Sequence, residues 1–160
     1  MKKIFVSTLT ALLLLIVLAS TVFAAPTASG QRLLLKGSVQ DLETQQVVFP
    51  TVFVNGTGSG NATQLGLFTI SYQAQLNIPT LSATTSATLV AADGSMLSGT
   101  GTGQGTVIAP PFIVSIVETY TITGGTGRFV GASGSFTVER VLNRATGVST
   151  GTINGTIVRP

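Results

Sequence analysis

The sequence predicts an all-β protein, a single antiparallel eight-stranded β-barrel behind an N-terminal signal peptide. Three observations carry this expectation. β-Branched residues and glycine dominate after the first 25 residues, and several segments alternate apolar and polar residues with period two. Turn signals separate these segments at short intervals, with no helix-length segment between them. Strands this close in sequence pair antiparallel, because a parallel crossover needs a dozen or more residues. One apolar and one polar face per strand then suit a sheet closed on itself, which leaves no exposed edge.

Residues 1–24 are read as the signal peptide. Met1-Lys2-Lys3 is a basic start, Ile4 to Ser20 is an apolar run with ALLLLIVLA at its centre, and Val22 and Ala24 supply small side chains before a cut after Ala24. An uncleaved anchor is the competing reading, since the run is near the minimum length for a bilayer span. The small residues that close the run, and the lack of a basic stop-transfer cluster after it, favour cleavage. No Cys stands near the cut, which excludes a lipoprotein anchor. The expected location is therefore secreted (extracellular, periplasmic or cell surface), with no stable membrane anchor once the leader is gone. Residues 25–31 are expected to be a flexible tail and 32–160 the barrel domain.

Composition limits the chemistry. The chain has no Cys, His or Trp, and only 8% of its residues are charged. That excludes Cys-His and Ser-His-Asp nucleophile systems, thiolate or imidazole metal sites and disulfides, and neither a metal nor a cofactor is expected. Loss of the leader removes Lys2 and Lys3. Six basic residues then face five acidic ones, a formal charge of +1, so the basic balance indicates neither nucleic acid nor an anionic membrane.

Taken in order, the strands are expected near 32–40, 46–54, 63–77, 84–92, 95–107, 112–123, 134–143 and 147–158. Asp41 and Glu43 fall in the turn-like DLETQQ segment between the first two and are expected to be solvated. Asn55-Gly56 reads as a turn. The run from Gly66 to Asn77 alternates most clearly, with Phe68, Ile70, Tyr72, Ala74 and Leu76 on one face. Asp93-Gly94 is the best short hairpin signal. Gly99, Gly101, Gly103 and Gly105 occupy alternate positions of the next segment, either a strand that admits close approach by other side chains or a low-complexity loop. No fixed period suggests a solenoid or propeller. The sequons at Asn55, Asn61 and Asn154 arise easily in a chain so rich in Thr and Gly, and the Lys-Lys leader has a bacterial character, so glycosylation is not expected.

Ile122 to Phe136 reads ITGGTGRFVGASGSF. A dinucleotide turn is rejected: Gly124, Gly127 and Gly131 are spaced one residue too long, and the segment that follows reads as a strand rather than a phosphate-holding helix. The stretch instead resembles the signature of the allene oxide cyclase and dirigent protein superfamily. The matching residues are Gly124, Gly125, Thr126, Gly127, Phe129, Gly131, Ala132 and Gly134, with fitting strands on either side. The resemblance implies an eight-stranded antiparallel barrel, often trimeric, with an apolar cavity for a small hydrophobic ligand. It is closer to small secreted bacterial relatives of unknown role than to the plant enzymes, and no active-site residue of the family aligns here.

The interior offers one anomaly. Glu118 shares a face with Phe112, Val114, Ile116, Tyr120 and Ile122, and Arg140 shares one with Phe136, Val138 and Leu142. If their strands pair so that Glu118 lies opposite Arg140, the two form either an interior ligand or acid/base group, or a solvated pair at the barrel mouth. The solvated pair is the expectation, since exposed cross-strand ion pairs are common. Two functions follow. In one, a secreted barrel binds an apolar small molecule against Phe68, Ile70, Tyr72, Ile116, Tyr120 and Phe136, with or without cyclase-like or stereo-directing activity. In the other, a structural or cell-surface protein fills the barrel with its own side chains. Catalysis is the less favoured outcome.

Overall fold

The computed structural model describes residues 30–160. The expected signal peptide, 1–24, and residues 25–29 of the expected tail lie outside the described residues. The chain runs through β1 (Gln31–Val48), β2 (Thr51–Ala62), β3 (Gly66–Asn77), β4 (Ser82–Ala91), β5 (Met96–Ala109), β6 (Ile113–Gly125), a 3-10 turn (Gly127–Phe129), β7 (Ser133–Asn143) and β8 (Val148–Arg159). Each strand pairs with the next, and β8 pairs back onto β1 to close the barrel. Gln31, expected in the tail, opens β1 opposite Arg159.

Six of the eight expected strands lie where the periodicity puts them, within a few residues. The first two do not. The segment 41–46 continues β1, and the hairpin falls at Phe49-Pro50, inside the expected strand 46–54. Pro50 has no N–H for a ladder and therefore marks the turn. Asn55-Gly56 lies inside β2, paired with Thr44 and Glu43. Its glycine serves packing rather than a turn, because a Cβ on Gly56 would run into the ring of Tyr72. The Asp93-Gly94 hairpin is present as expected, with Gly94 at a φ of +81°.

The glycine-rich segment 99–105 is a strand, and the low-complexity alternative falls. Gly101 pairs with Tyr120 and Gly103 with Glu118. The same relation recurs around the barrel: Gly56 faces Tyr72, Gly60 faces Phe68, Gly151 faces Arg140 and Gly155 faces Phe136. Large inward side chains thus lie across glycines of the neighbouring strand, which lets a narrow barrel hold aromatic rings and a guanidinium.

The interior divides into two halves. Toward one end Leu35, Leu65, Phe68, Leu89, Leu97, Phe129, Phe136 and Ile157 are all buried. The β6–β7 turn closes this end, with Phe129 plugged into the barrel at 1% exposure. Gly124, Gly127, Gly131 and Gly134 all have positive φ there. Gly125 differs: a Cβ on it would meet the backbone of Met96 and the side chain of Phe129. The other half, under the β1–β2, β3–β4, β5–β6 and β7–β8 hairpins, is open.

Candidate functional site

Between the two halves, a charged cluster crosses the barrel. Arg140, from the middle of β7, donates from Nε to Glu118 Oε2 at 3.1 Å and from Nη1 to Glu43 Oε2 at 2.9 Å. Nη1 also lies 3.5 Å from Asp41 Oδ1 and 3.3 Å from Ser149 Oγ. The Tyr72 hydroxyl sits 2.7 Å from Asp41 Oδ1 and 3.0 Å from Glu43 Oε2, its one proton shared between them. Ser149 Oγ donates to Asp41 Oδ2 at 2.7 Å, and Gln45 Nε2 donates to Glu43 Oε1 at 2.6 Å. The guanidinium carbon lies 5.0 Å from the centre of the Tyr72 ring. Every charged member is buried: Asp41, Glu43, Glu118 and Arg140 are at most 6% exposed.

Burying a charge is costly unless it is paired and hydrogen-bonded, and this network supplies both. Burial by itself would lower the pKa of Arg140. Glu118, Tyr72, Asp41 and Glu43 outweigh that effect and hold the guanidinium charged. Burial pushes the Tyr72 hydroxyl well above its ordinary range, with Arg140 opposing and Glu43 and Asp41 adding to the rise. Tyr120 is pushed up as well, first by burial and then by Glu118. Its hydroxyl lies 2.9 Å from Thr85 Oγ1, and its ring stacks on Phe136 at 4.8 Å. Both carboxyl oxygens of Asp41 and of Glu43, and Oε2 of Glu118, are engaged by Arg140, Tyr72, Ser149 and Gln45. Among the described residues no set of three metal-capable side chains converges on a metal position.

Above this cluster lies a cavity of about 190 Å³ that opens between the hairpins. Val52, Val54, Ala74, Leu76, Ala83, Val114, Ile116 and Leu142 form its walls, Glu43 and Arg140 its floor, and Val47, Ile78, Leu81, Val107 and Arg144 its mouth. Gly103 and Gly105 widen one side. Arg140 Nη2 donates to no protein group among the described residues. No fully buried side-chain nitrogen or oxygen among the described residues lacks a partner, so Nη2 keeps open surface at this floor. The arrangement presents one fixed, charged donor nitrogen, Nη2, at the bottom of an apolar well.

No family model matches the sequence, and the comparison with curated proteins found no relative. Among solved structures, the pterocarpan synthase dirigent protein GePTS1 superposes with a TM-score of 0.58 at 15% identity, over 84% of this chain and 94% of that one. The fold is the dirigent-type barrel.

Within this dirigent-type barrel the expected site residues separate. Glu118 and Arg140 do form an ion pair, but the expected register and setting are both corrected. Arg140 pairs across the ladder with Ile116, and Glu118 with Val138, so the two meet diagonally. They point inward, because outward placement would turn Tyr120, Ile122 and Phe136 into solvent as well. Of the six expected ligand-contacting residues, Ile116 alone lines the cavity. Phe68, Ile70, Tyr120 and Phe136 are packed in the closed half, and Tyr72 stands under Arg140. They are too close to the filled end to reach the opening.

Asp41 and Glu43, expected to be solvated, are the correction with the largest consequence. A signal for them existed: they continue the alternation of Leu33, Leu35 and Val39, which places them on the inner face of β1. Ser149 and the small wall residues carried no comparable mark.

Proposed function

We propose that this barrel binds a small, mostly apolar molecule, with an oxygen of that molecule accepting a hydrogen bond from Arg140 Nη2. The observation that carries the reading is the open apolar well with an unpaired guanidinium N–H at its floor. A dry apolar cavity of about 150 Å³ is enough to take up benzene. The space here therefore suits a substituted single ring. One guanidinium faces three carboxyl groups, so the floor is not a net cation and favours a neutral carbonyl, ether or hydroxyl oxygen over an acid. Val52, Val54, Ile116 and Leu142 fix the ring while Arg140 fixes one end of it. Such a site can hold a reactive molecule in a single orientation and so direct the outcome of its coupling without supplying a nucleophile. The likeness to a dirigent protein supports that stereo-directing role. The leader-like sequence of residues 1–24 supports a secreted setting.

Native mass spectrometry of residues 30–160, which contain every strand of the closed barrel, tests the binding reading. Titration with 4-propylphenol and with 4-propylbenzoate should give one bound phenol per barrel and little bound acid. Ala83→Phe, which fills the well from its wall, should abolish the phenol adduct. Absence of any adduct on the parent protein, or an unchanged adduct on Ala83→Phe, would remove the proposal and favour a structural barrel.

A further inference from the structure

The end of the barrel at which the cavity opens is formed by four hairpin tips, 48–51, 77–82, 109–113 and 143–148. Three of these tips hold large apolar side chains in solvent: Phe49 is 78% exposed, Ile108 beside the third tip 55%, Phe112 51%, and Val148 in the fourth 37%. Val47, Val48 and Val107 extend the same apolar surface down to the cavity walls. The four tips carry one charged residue, Arg144, which is exposed. Every acidic residue lies elsewhere. Asp41, Glu43 and Glu118 are buried, Asp93 is in the β4–β5 turn at the closed end, and Glu139 is midway along β7.

We propose that this rim docks end-on to a lipid surface, with the cavity mouth against the headgroups and Phe49, Ile108 and Phe112 entering the interfacial region. The charge pattern favours lipid over a second copy of the chain. Two rims joined about a two-fold axis would bring Arg144 against a surface with no acid to pair it, whereas a phosphate headgroup does pair it. Shape points the same way. Separate apolar tips around a hole can each sink into a fluid interface, while a protein partner would need matching relief.

Docking of this kind is peripheral. The outer faces of the central strands carry Thr84, Ser86, Thr100, Thr102, Thr119 and Thr121, the reverse of the apolar outer band that a membrane-spanning barrel requires. The proposal stands on exposed residues of the rim and does not depend on what occupies the cavity.

Flotation of residues 30–160 with phosphatidylcholine vesicles, with and without phosphatidylglycerol, tests it. The protein should float with both, more strongly with the anionic lipid. The triple variant Phe49→Ser, Ile108→Ser, Phe112→Ser should lose partitioning by about a hundredfold. Phe49→Ser alone should lose less, and it serves if the triple variant fails to fold. Arg144→Gln should lose only the gain from phosphatidylglycerol. A parent protein that floats with neither vesicle overturns the proposal, as does a folded triple variant that floats as well as the parent. If the parent does not float and the triple variant lowers its sedimentation mass, the rim covers a second copy and the lipid proposal is wrong.

Discussion

Arg140 reaches Glu118 at 3.1 Å across the β6–β7 pair although neither stands opposite the other in the ladder. The diagonal contact frees Arg140 to extend along the barrel toward Glu43 and Asp41 on β1, and one side chain thereby joins three strands. Removing it leaves three buried carboxyl groups without their cation. Arg140→Met should cost about 3–5 kcal/mol, read from the denaturant midpoint. A loss below about 1 kcal/mol would mean that water reaches these carboxyl groups freely.

The glycines differ in what they tolerate. Gly56→Ala should cost about 1–3 kcal/mol, because the added carbon displaces the Tyr72 ring and with it the hydroxyl shared by Asp41 and Glu43. At Gly105 the added carbon meets Val114 Cγ1 at 3.5 Å and Leu81 O at 3.6 Å, which is ordinary contact. Gly105→Ala should therefore stay within about 0.5 kcal/mol. Equal losses at the two positions, in paired denaturation curves, would contradict this packing.

The filled and open halves should respond differently to truncation. Phe136 is fully buried and stacked on Tyr120, so Phe136→Ala should cost about 3–5 kcal/mol. Ile116 is half-buried on the cavity wall, and Ile116→Ala should cost about 1 kcal/mol while enlarging the well. Thermal unfolding of both variants distinguishes this two-part interior from a uniformly packed one.

Alkaline stability follows from the tyrosines. The chain has two, Tyr72 and Tyr120, and burial raises both above the ordinary value. Above about pH 10 the unfolded chain releases phenolic protons that the folded barrel retains, so the unfolded state binds fewer protons and stability falls with pH. The contribution is fully present below about pH 10 and is lost as pH rises toward the folded-state values, by about 1.4 kcal/mol per pH unit for each tyrosine. Absorbance titration should show tyrosinate appearing together with loss of the β-sheet circular dichroism signal. A phenol that ionises while the barrel stays folded would show that the hydroxyl is open to solvent.

The architecture was legible because strand periodicity is local. Gly66 to Asn77 alternates without interruption, Asp93-Gly94 can take a hairpin turn, and Gly124 and Gly127 of the ITGGTG stretch stand where the backbone needs positive φ. Each of these signals is carried by adjacent residues. Asp41 and Glu43 carry the inner-face phase of β1, but their polarity masks it in the sequence. A carboxyl group looks solvated until its partner is known, and that partner, Arg140, stands about a hundred residues away in sequence.

The sequence by itself determined the all-β class, the closed antiparallel sheet and most strand limits, and it holds no Cys or His. Tertiary structure alone decided which half of the barrel is filled and which is open. That division depends on where closure and strand stagger bring Gly56, Gly101 and Gly151 against Tyr72, Tyr120 and Arg140. A two-residue change of register keeps every side chain on its face yet moves it by a full repeat along the barrel. Facing direction is therefore written in the local pattern, while depth along the axis, and with it the site, is set by long-range pairing.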